Sequence, residues 1–462
     1  MDGDAAAATT ERGRFRASIL DGREFLLAAL ILAILAFAWL VYSSHLKPST
    51  LRHGDFRFLY AAGATWLEGQ SPYDLEAYRG AWIDTIFQLP DDIRPYPEVD
   101  VTTRAAIQDP GIMNSYMYPY PPVSAGLVVP LAALGWQGAT VTNALLGYGA
   151  ALAIAFLLGR QCRLTAAETT ALAALTFICA STSAAIFGGQ PTLFAILGVC
   201  LAAAPVVRHE GSSLPLPLGF LFGLGCALAF IKPTVTLLFL AYLWLVSRQK
   251  LALAAWGGGL VVLSMAVPLI SIGDTGFLGD YSETLKIHGT LAFNRYAHHD
   301  GILAILATEM PQRAALAICL AIGLGALVGV ARAGISLAGG LAITALLSTL
   351  LLPVKFEYDL GVALPLFAFA VMAGGDAATA LARSDVAERP AAIIPRLAAL
   401  AVLGFVVVAL LRWSNFSAGI AMLSPELAAL EREAYIAMAL AALPATAYLA
   451  SLKPCQPLQS VR

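Results

Sequence analysis

The sequence predicts an all-α, polytopic transmembrane protein of about twelve spans, with a few short interfacial or re-entrant helices. Three observations carry that expectation. Of the 462 residues, 59% are hydrophobic and only 13% are charged. A soluble domain carries nearer ~25% charged residues, because its surface must face water. Apolar runs near spanning length recur along almost the whole chain, and Lys and Arg gather at alternate ends of them. The net charge of −2 supplies no basic field for nucleic acid.

The elements follow in order. Residues 1–23 read as a cytoplasmic N-terminal segment carrying Arg12, Arg14, Arg16 and Arg23. The run that follows, 24–43, has no small-residue cleavage site behind it, so a retained first helix is expected. A polar loop over 44–121 comes next, far longer than an ordinary connection. Further spans are expected at 136–159, 166–187, 191–207, 215–231, 233–247, 251–272, 313–331, 335–352, 359–375, 396–411 and 434–452. The apolar pieces 122–134 and 301–309 are too short to cross comfortably. Residues 24–462 are expected to form one domain.

Lys and Arg near helix ends place the N-terminus inside, and the loops 44–121, 272–300, 352–358 and 412–433 outside. The stretch 215–247 is too long for one span and has basic residues on both flanks. Pro233 interrupts a helix ladder and disfavours the helical region for Lys232. Two shortish helices meeting at Lys232-Pro233 are therefore expected.

Residues able to do chemistry gather on the predicted outer face. Phe56, Leu59, Tyr60, Gly63 and Leu67 share one helical face, with a stop at Glu68-Gly69 and Pro72. That spacing predicts an amphipathic helix on the outer membrane surface. Asp55 stands at its start and reads either as an N-cap or as a general base. Tyr120, in a proline-dense stretch, reads as an interfacial anchor or as part of a head-group groove. Gly188-Gly189-Gln190-Pro191 is a turn, and Gln190 reads as a hydrogen-bond partner for a sugar hydroxyl or for freed backbone groups.

Lys232 lies inside an apolar run, where charge is expensive. It reads as a snorkelling interfacial lysine or as a phosphate ligand. Lys355, Glu357 and Asp359 cluster at a late helix boundary, where a cap and an anchor are the simpler roles. His298-His299-Asp300 lacks a spaced partner, so no metal site is assigned. The six cysteines show neither disulfide nor metal spacing and read as small buried hydrophobes.

These motifs, in this order, resemble glycosyltransferase family 87, a group with the GT-C fold. The matching pieces are Asp55-Phe56 with Tyr60-Ala61-Ala62, Gly69-Gln70-Ser71-Pro72-Tyr73, Tyr120-Pro121-Pro122 with Pro130-Leu131, Gly189-Gln190-Pro191-Thr192, Lys232-Pro233, and Pro353 with Tyr358-Asp359-Leu360. The resemblance implies a hexosyltransferase that takes a sugar from a polyprenyl phosphate donor, mannose in characterised relatives. The acceptor is a lipid or glycan on the non-cytoplasmic side, and the setting is a bacterial inner membrane facing the periplasm or cell envelope. It assigns Asp55 as the base. Lys232, Lys355 and Arg57 become candidates for the donor phosphate. Gln190, Tyr120, Glu357 and Asp359 become candidates for the rest of the substrate. No cofactor is evident, and a divalent cation has no assignable ligands. Mannosyltransferase members carry a histidine pair after the late proline; here the stretch reads Lys355-Phe356-Glu357-Tyr358-Asp359, so no histidine role carries over and the sugar stays open. A transporter or flippase is the rival, and it predicts a site near the midplane with polar residues in both leaflets. The one-sided distribution of motifs favours the enzyme.

Overall fold

The computed structural model describes residues 56–87, 117–178, 188–208, 215–290, 301–353, 362–372 and 439–449, together with 182, 185, 186, 359, 436 and 437. Among these residues the chain is helical, with no strand. The expected spans 24–43 and 396–411, and the His298-His299-Asp300 triplet, lie outside them.

Helix α1, Phe56–Leu67, ends where the sequence predicts, at Gly69 in the left-handed region with φ 75°. The Gln70 and Gly69 amides close the end by donating to the Thr65 and Trp66 carbonyls. The expected surface position is corrected in part. Arg57 and Thr65 are buried as well as Phe56, Leu59 and Tyr60, so protein covers more than the apolar stripe. The main cover is α3, Pro122–Ala132. A Cβ on Gly63 would lie 3.1 Å from the Val128 carbonyl carbon, so the two backbones nearly touch. Helix α2, Leu75–Phe87, packs on α1, and Asp74 caps its first turn by accepting from the Glu76 and Ala77 amides.

Pro122 fixes the start of α3, as a proline at the first helical position does. Gly135 with φ 71° then turns the chain into α4, Gly135–Gln161. At 27 residues α4 is about 40 Å long, enough to cross a bilayer. A capping box opens α5, Ala166–Ile178: Glu168 Oε2 accepts from the Thr165 amide at 2.8 Å, and Thr165 Oγ1 from the Glu168 amide at 3.2 Å. After the Gly189-Gln190 turn come α6, Thr192–Arg208, and α7, Leu216–Ala229. These two approach through glycines. A Cβ on Gly198 would fall 2.4 Å from the Ala229 amide nitrogen, the small-residue contact that apolar helices use to associate.

Helix α8, Pro233–Val246, begins directly after Lys232, so the two short helices expected over 215–247 are present. Each has 14 residues, about 21 Å, less than the ~30 Å of a hydrocarbon core. Helix α9, Lys250–Ser271, packs along α7. Then come α10, Phe277–Thr290; α11, Ile302–Glu309; α12, Gln312–Arg332; and α13, Leu337–Leu351. Helices α12 and α13 flank α8.

Among the described residues, α4 and α12 stand out as long and apolar enough to cross a membrane, and the count of about twelve spans is not reached. The two long helices carry apolar side chains outward: Phe156 is 54% exposed on α4 and Ile322 51% on α12. Two apolar clusters hold the interior. One joins α4, α6, α8 and α13; the other is rich in aromatic rings and joins α1, α2, α3 and the start of α4 through Phe56, Tyr60, Tyr78, Val128 and Trp136.

Candidate active site

The break between α7 and α8 has a local cause. Pro233 carries no N–H and sits at the start of α8, while Lys232 takes a non-helical conformation with φ −135° and ψ 72°. The Lys232 side chain then reaches three acceptors. Nζ donates to Gln190 Oε1 at 3.1 Å, to Thr192 Oγ1 at 3.2 Å, and to Asp359 Oδ1 in an ion pair. An ammonium has three protons, and all three are in use. The Lys232 side chain is 11% exposed and that of Asp359 6%, so the pair is desolvated. Thr192 Oγ1 donates to Asp359 Oδ1 at 3.4 Å, and the Tyr120 hydroxyl donates to Gln190 Oε1 at 3.1 Å.

Four residues singled out in the sequence, Tyr120, Gln190, Lys232 and Asp359, thus meet in one network, although they are spread over 240 positions of the chain. Thr192 was not singled out alone. It stood in the Gly189-Gln190-Pro191-Thr192 motif, and a hydroxyl two residues past a buried amide was its only signal. Arg57 lies over the Trp136 ring, 5.7 Å from its centroid, a cation–π contact. Asp55, Lys355 and Glu357 lie outside the described residues. Phe56, the residue after Asp55, is described, and it packs on the turn that carries Gln190. A Cβ on Gly189 would fall 2.3 Å from Phe56 Cβ. The Gly189 φ of 70° leaves that turn to glycine in any case.

A wall of tyrosines backs Tyr120. The Tyr118 ring lies 5.9 Å from that of Tyr120 and 5.6 Å from that of Tyr73. Tyr118 OH meets Ser124 Oγ at 2.5 Å, and Tyr73 OH donates to the Tyr120 carbonyl at 2.7 Å. Ser71 Oγ bonds Asp274 Oδ2, which ties this loop to the one between α9 and α10. Asp274 was not marked in the sequence, because nothing local separates it from any loop carboxylate. Burial pushes the Tyr73, Tyr78 and Tyr118 hydroxyls up, and that of Tyr281 to about 12. All four stay protonated near neutral pH and act as neutral groups. Removing one hydroxyl tests the wall: Tyr73→Phe should lower stability by about 1–2 kcal/mol, by leaving the Tyr120 carbonyl without that donor. Thermal unfolding measures it, and an unchanged midpoint would show that the bond contributes nothing.

No group of three or more metal-binding side chains occurs among the described residues. Cys162, Cys200, Cys226 and Cys319 are buried thiols.

No curated protein and no solved structure matches the chain. A family model does match, over residues 118–353. That stretch holds Tyr120, Gln190, Thr192 and Lys232, so most of the network lies inside it. It is more than half of the 462 residues, and the chain belongs to glycosyltransferase family 87.

Proposed function

We propose that this glycosyltransferase is a multi-pass membrane enzyme of the GT-C type that transfers a sugar from a polyprenyl phosphate donor to a lipid or glycan acceptor. Its setting is a bacterial inner membrane, with the site on the non-cytoplasmic face. The sugar is mannose or another hexose or pentose. The observation that carries the reading is the desolvated Lys232–Asp359 pair with Gln190 and Thr192, at a turn packed against the residue after Asp55. A charge is kept in apolar surroundings where it serves a ligand.

The step is an inverting displacement. The acceptor hydroxyl oxygen attacks the anomeric carbon, and its proton passes to the Asp55 carboxylate. The bond from the anomeric carbon to the phosphate oxygen breaks, and its electron pair leaves with the polyprenyl phosphate. That phosphate gains charge as it departs, so cationic and N–H donors there act most strongly in the transition state. Lys232, Lys355 and Arg57 supply the positive charge there. Tyr120, Gln190, Glu357 and Asp359 complete the substrate contacts. The isoprenoid tail lies among the apolar helices.

The test uses protein in lipid, radiolabelled polyprenyl phosphate mannose and a crude lipid-acceptor extract. Wild type should transfer label, and Asp55→Asn, shown to be folded, should lose at least about a hundredfold in rate. Transfer that survives in Asp55→Asn removes Asp55 as base. If wild type transfers from no lipid-linked sugar, the donor class is wrong.

A further inference from the structure

Gln190 Oε1 accepts two hydrogen bonds, from Lys232 Nζ and from Tyr120 OH, each at 3.1 Å. An ammonium cannot accept, so the amide atom facing Lys232 must be the oxygen. The amide polarity is therefore fixed, and Nε2 points away with two N–H donors. The residue is only 4% exposed, and Nε2 has no hydrogen-bond partner among the described residues. It is not one of the partnerless polar atoms sealed from solvent, so it keeps an open approach. Two donors on a residue this buried, with an approach left open, are placed to meet a ligand rather than another side chain.

The chemistry of a ligand suited to these donors follows. A sugar hydroxyl both donates and accepts, so it would fit an amide in either orientation. A fixed donor end matters for a group that only accepts. An ionised phosphodiester is such a group. Two further features favour an anion. Gln190 lies two residues before the start of α6, where a 17-residue helix presents its positive end. Lys232, ion-paired with Asp359 and with its own protons already in use, donates to Oε1 of the same amide and so polarises its N–H groups.

We propose that Gln190 Nε2 donates to a non-bridging oxygen of the lipid-linked phosphate, and that Lys232 acts on that phosphate through Gln190. This rests on the donor class proposed above and names the atom that reads it. Glu at 190 can still accept from Lys232 and Tyr120, but it replaces the free N–H donors with a carboxylate oxygen that repels phosphate.

The test is calorimetric titration of the full chain in phosphatidylcholine nanodiscs with farnesyl phosphate, farnesol and inorganic phosphate. Wild type should bind farnesyl phosphate at least about tenfold more tightly than either of the others. Gln190→Glu should weaken farnesyl phosphate about tenfold to a hundredfold, the worth of one hydrogen bond to a charged group. Gln190→Met, which keeps the shape and lacks the donors, should weaken it about tenfold, and it decides the matter if the glutamate variant does not fold. Several results overturn the proposal. Farnesol bound as tightly as its phosphate shows that no phosphate is read. Inorganic phosphate bound as tightly shows a site for the free ion. Undiminished farnesyl phosphate binding by Gln190→Glu, with transfer lost, assigns Gln190 to the sugar and leaves the proposed reaction standing. A wild-type protein that binds no farnesyl phosphate removes the donor class and this inference together.

Discussion

Replacing Lys232 with methionine is expected to abolish transfer and to destabilise the protein by about 3–5 kcal/mol, the usual consequence of removing one member of a buried ion pair. Methionine matches the length and apolar bulk of the lysine stem, so packing is nearly kept. What changes is electrostatic. Asp359 Oδ1 loses its cation and keeps Thr192 Oγ1 at 3.4 Å, a long bond for a carboxylate. Gln190 Oε1 loses one of its two donors, and the amide is free to turn over.

A second substitution separates stability from function. In Lys232→Met with Asp359→Leu, no uncompensated charge remains. Stability should return to within about 2 kcal/mol of wild type, since apolar replacement of a whole buried pair is close to neutral. Transfer should not return. Thermal unfolding and the radiolabel assay measure the two halves. A Lys232→Met protein as stable as wild type would show that the pair is not formed. Transfer regained by the double variant would show that neither charge serves the reaction.

The parts of this molecule legible in the sequence share a physical reason. Lys232-Pro233 breaks a helix because a proline lacks an N–H, and this is a local fact. Gly69 ends a helix by a rule that spans a few residues. Tyr120, Gln190, Lys232 and Asp359 are each weak signals alone; their predicted place on one face groups them, and of the five marked residues that are described these four meet in one network. What local rules could not give is what they pair with. Lys232 as a phosphate ligand and Lys232 with three protons in use are the same residue in the sequence, and only the approach of Thr192 and Asp359 distinguishes them. The burial of the polar residues Arg57 and Thr65 on α1 is not legible for a similar reason. Its apolar stripe is real, but α2 packs on the helix as well as α3 and Arg57 lies over Trp136, so more than the stripe is covered, and the periodicity of one helix carries no information about its neighbours. Span counting met a different limit. Helices of 14 residues, such as α7 and α8, are too short to be counted by length, whatever their apolarity.

Gly189→Ala is expected to reduce transfer at least about a hundredfold, because a shift near 1 Å in a positioning group is enough for that loss. The new methyl group meets two obstacles. The φ of 70° is strained for any residue with a Cβ, by about 1–2 kcal/mol. The Cβ would also stand 2.3 Å from Phe56 Cβ and 3.1 Å from Phe56 Cα. Carbon atoms rest at about 3.5–4.0 Å, so the turn and the start of α1 must part by more than about 1 Å. The two hydrogen bonds at Gln190 Oε1 are both 3.1 Å long and do not survive that movement. Gly69→Ala separates the two obstacles. Gly69 has a similar φ of 75°, but a Cβ there meets nothing within 4 Å. That variant carries the backbone strain alone. It should lose about 1–2 kcal/mol of stability and keep its transfer rate. A comparison of the two by thermal unfolding and by the radiolabel assay therefore isolates the contact between the Gln190 turn and Phe56. Equal transfer by both variants would mean that this contact does not position the site. A loss confined to Gly189→Ala ties the residue after Asp55 to the amide that faces the donor.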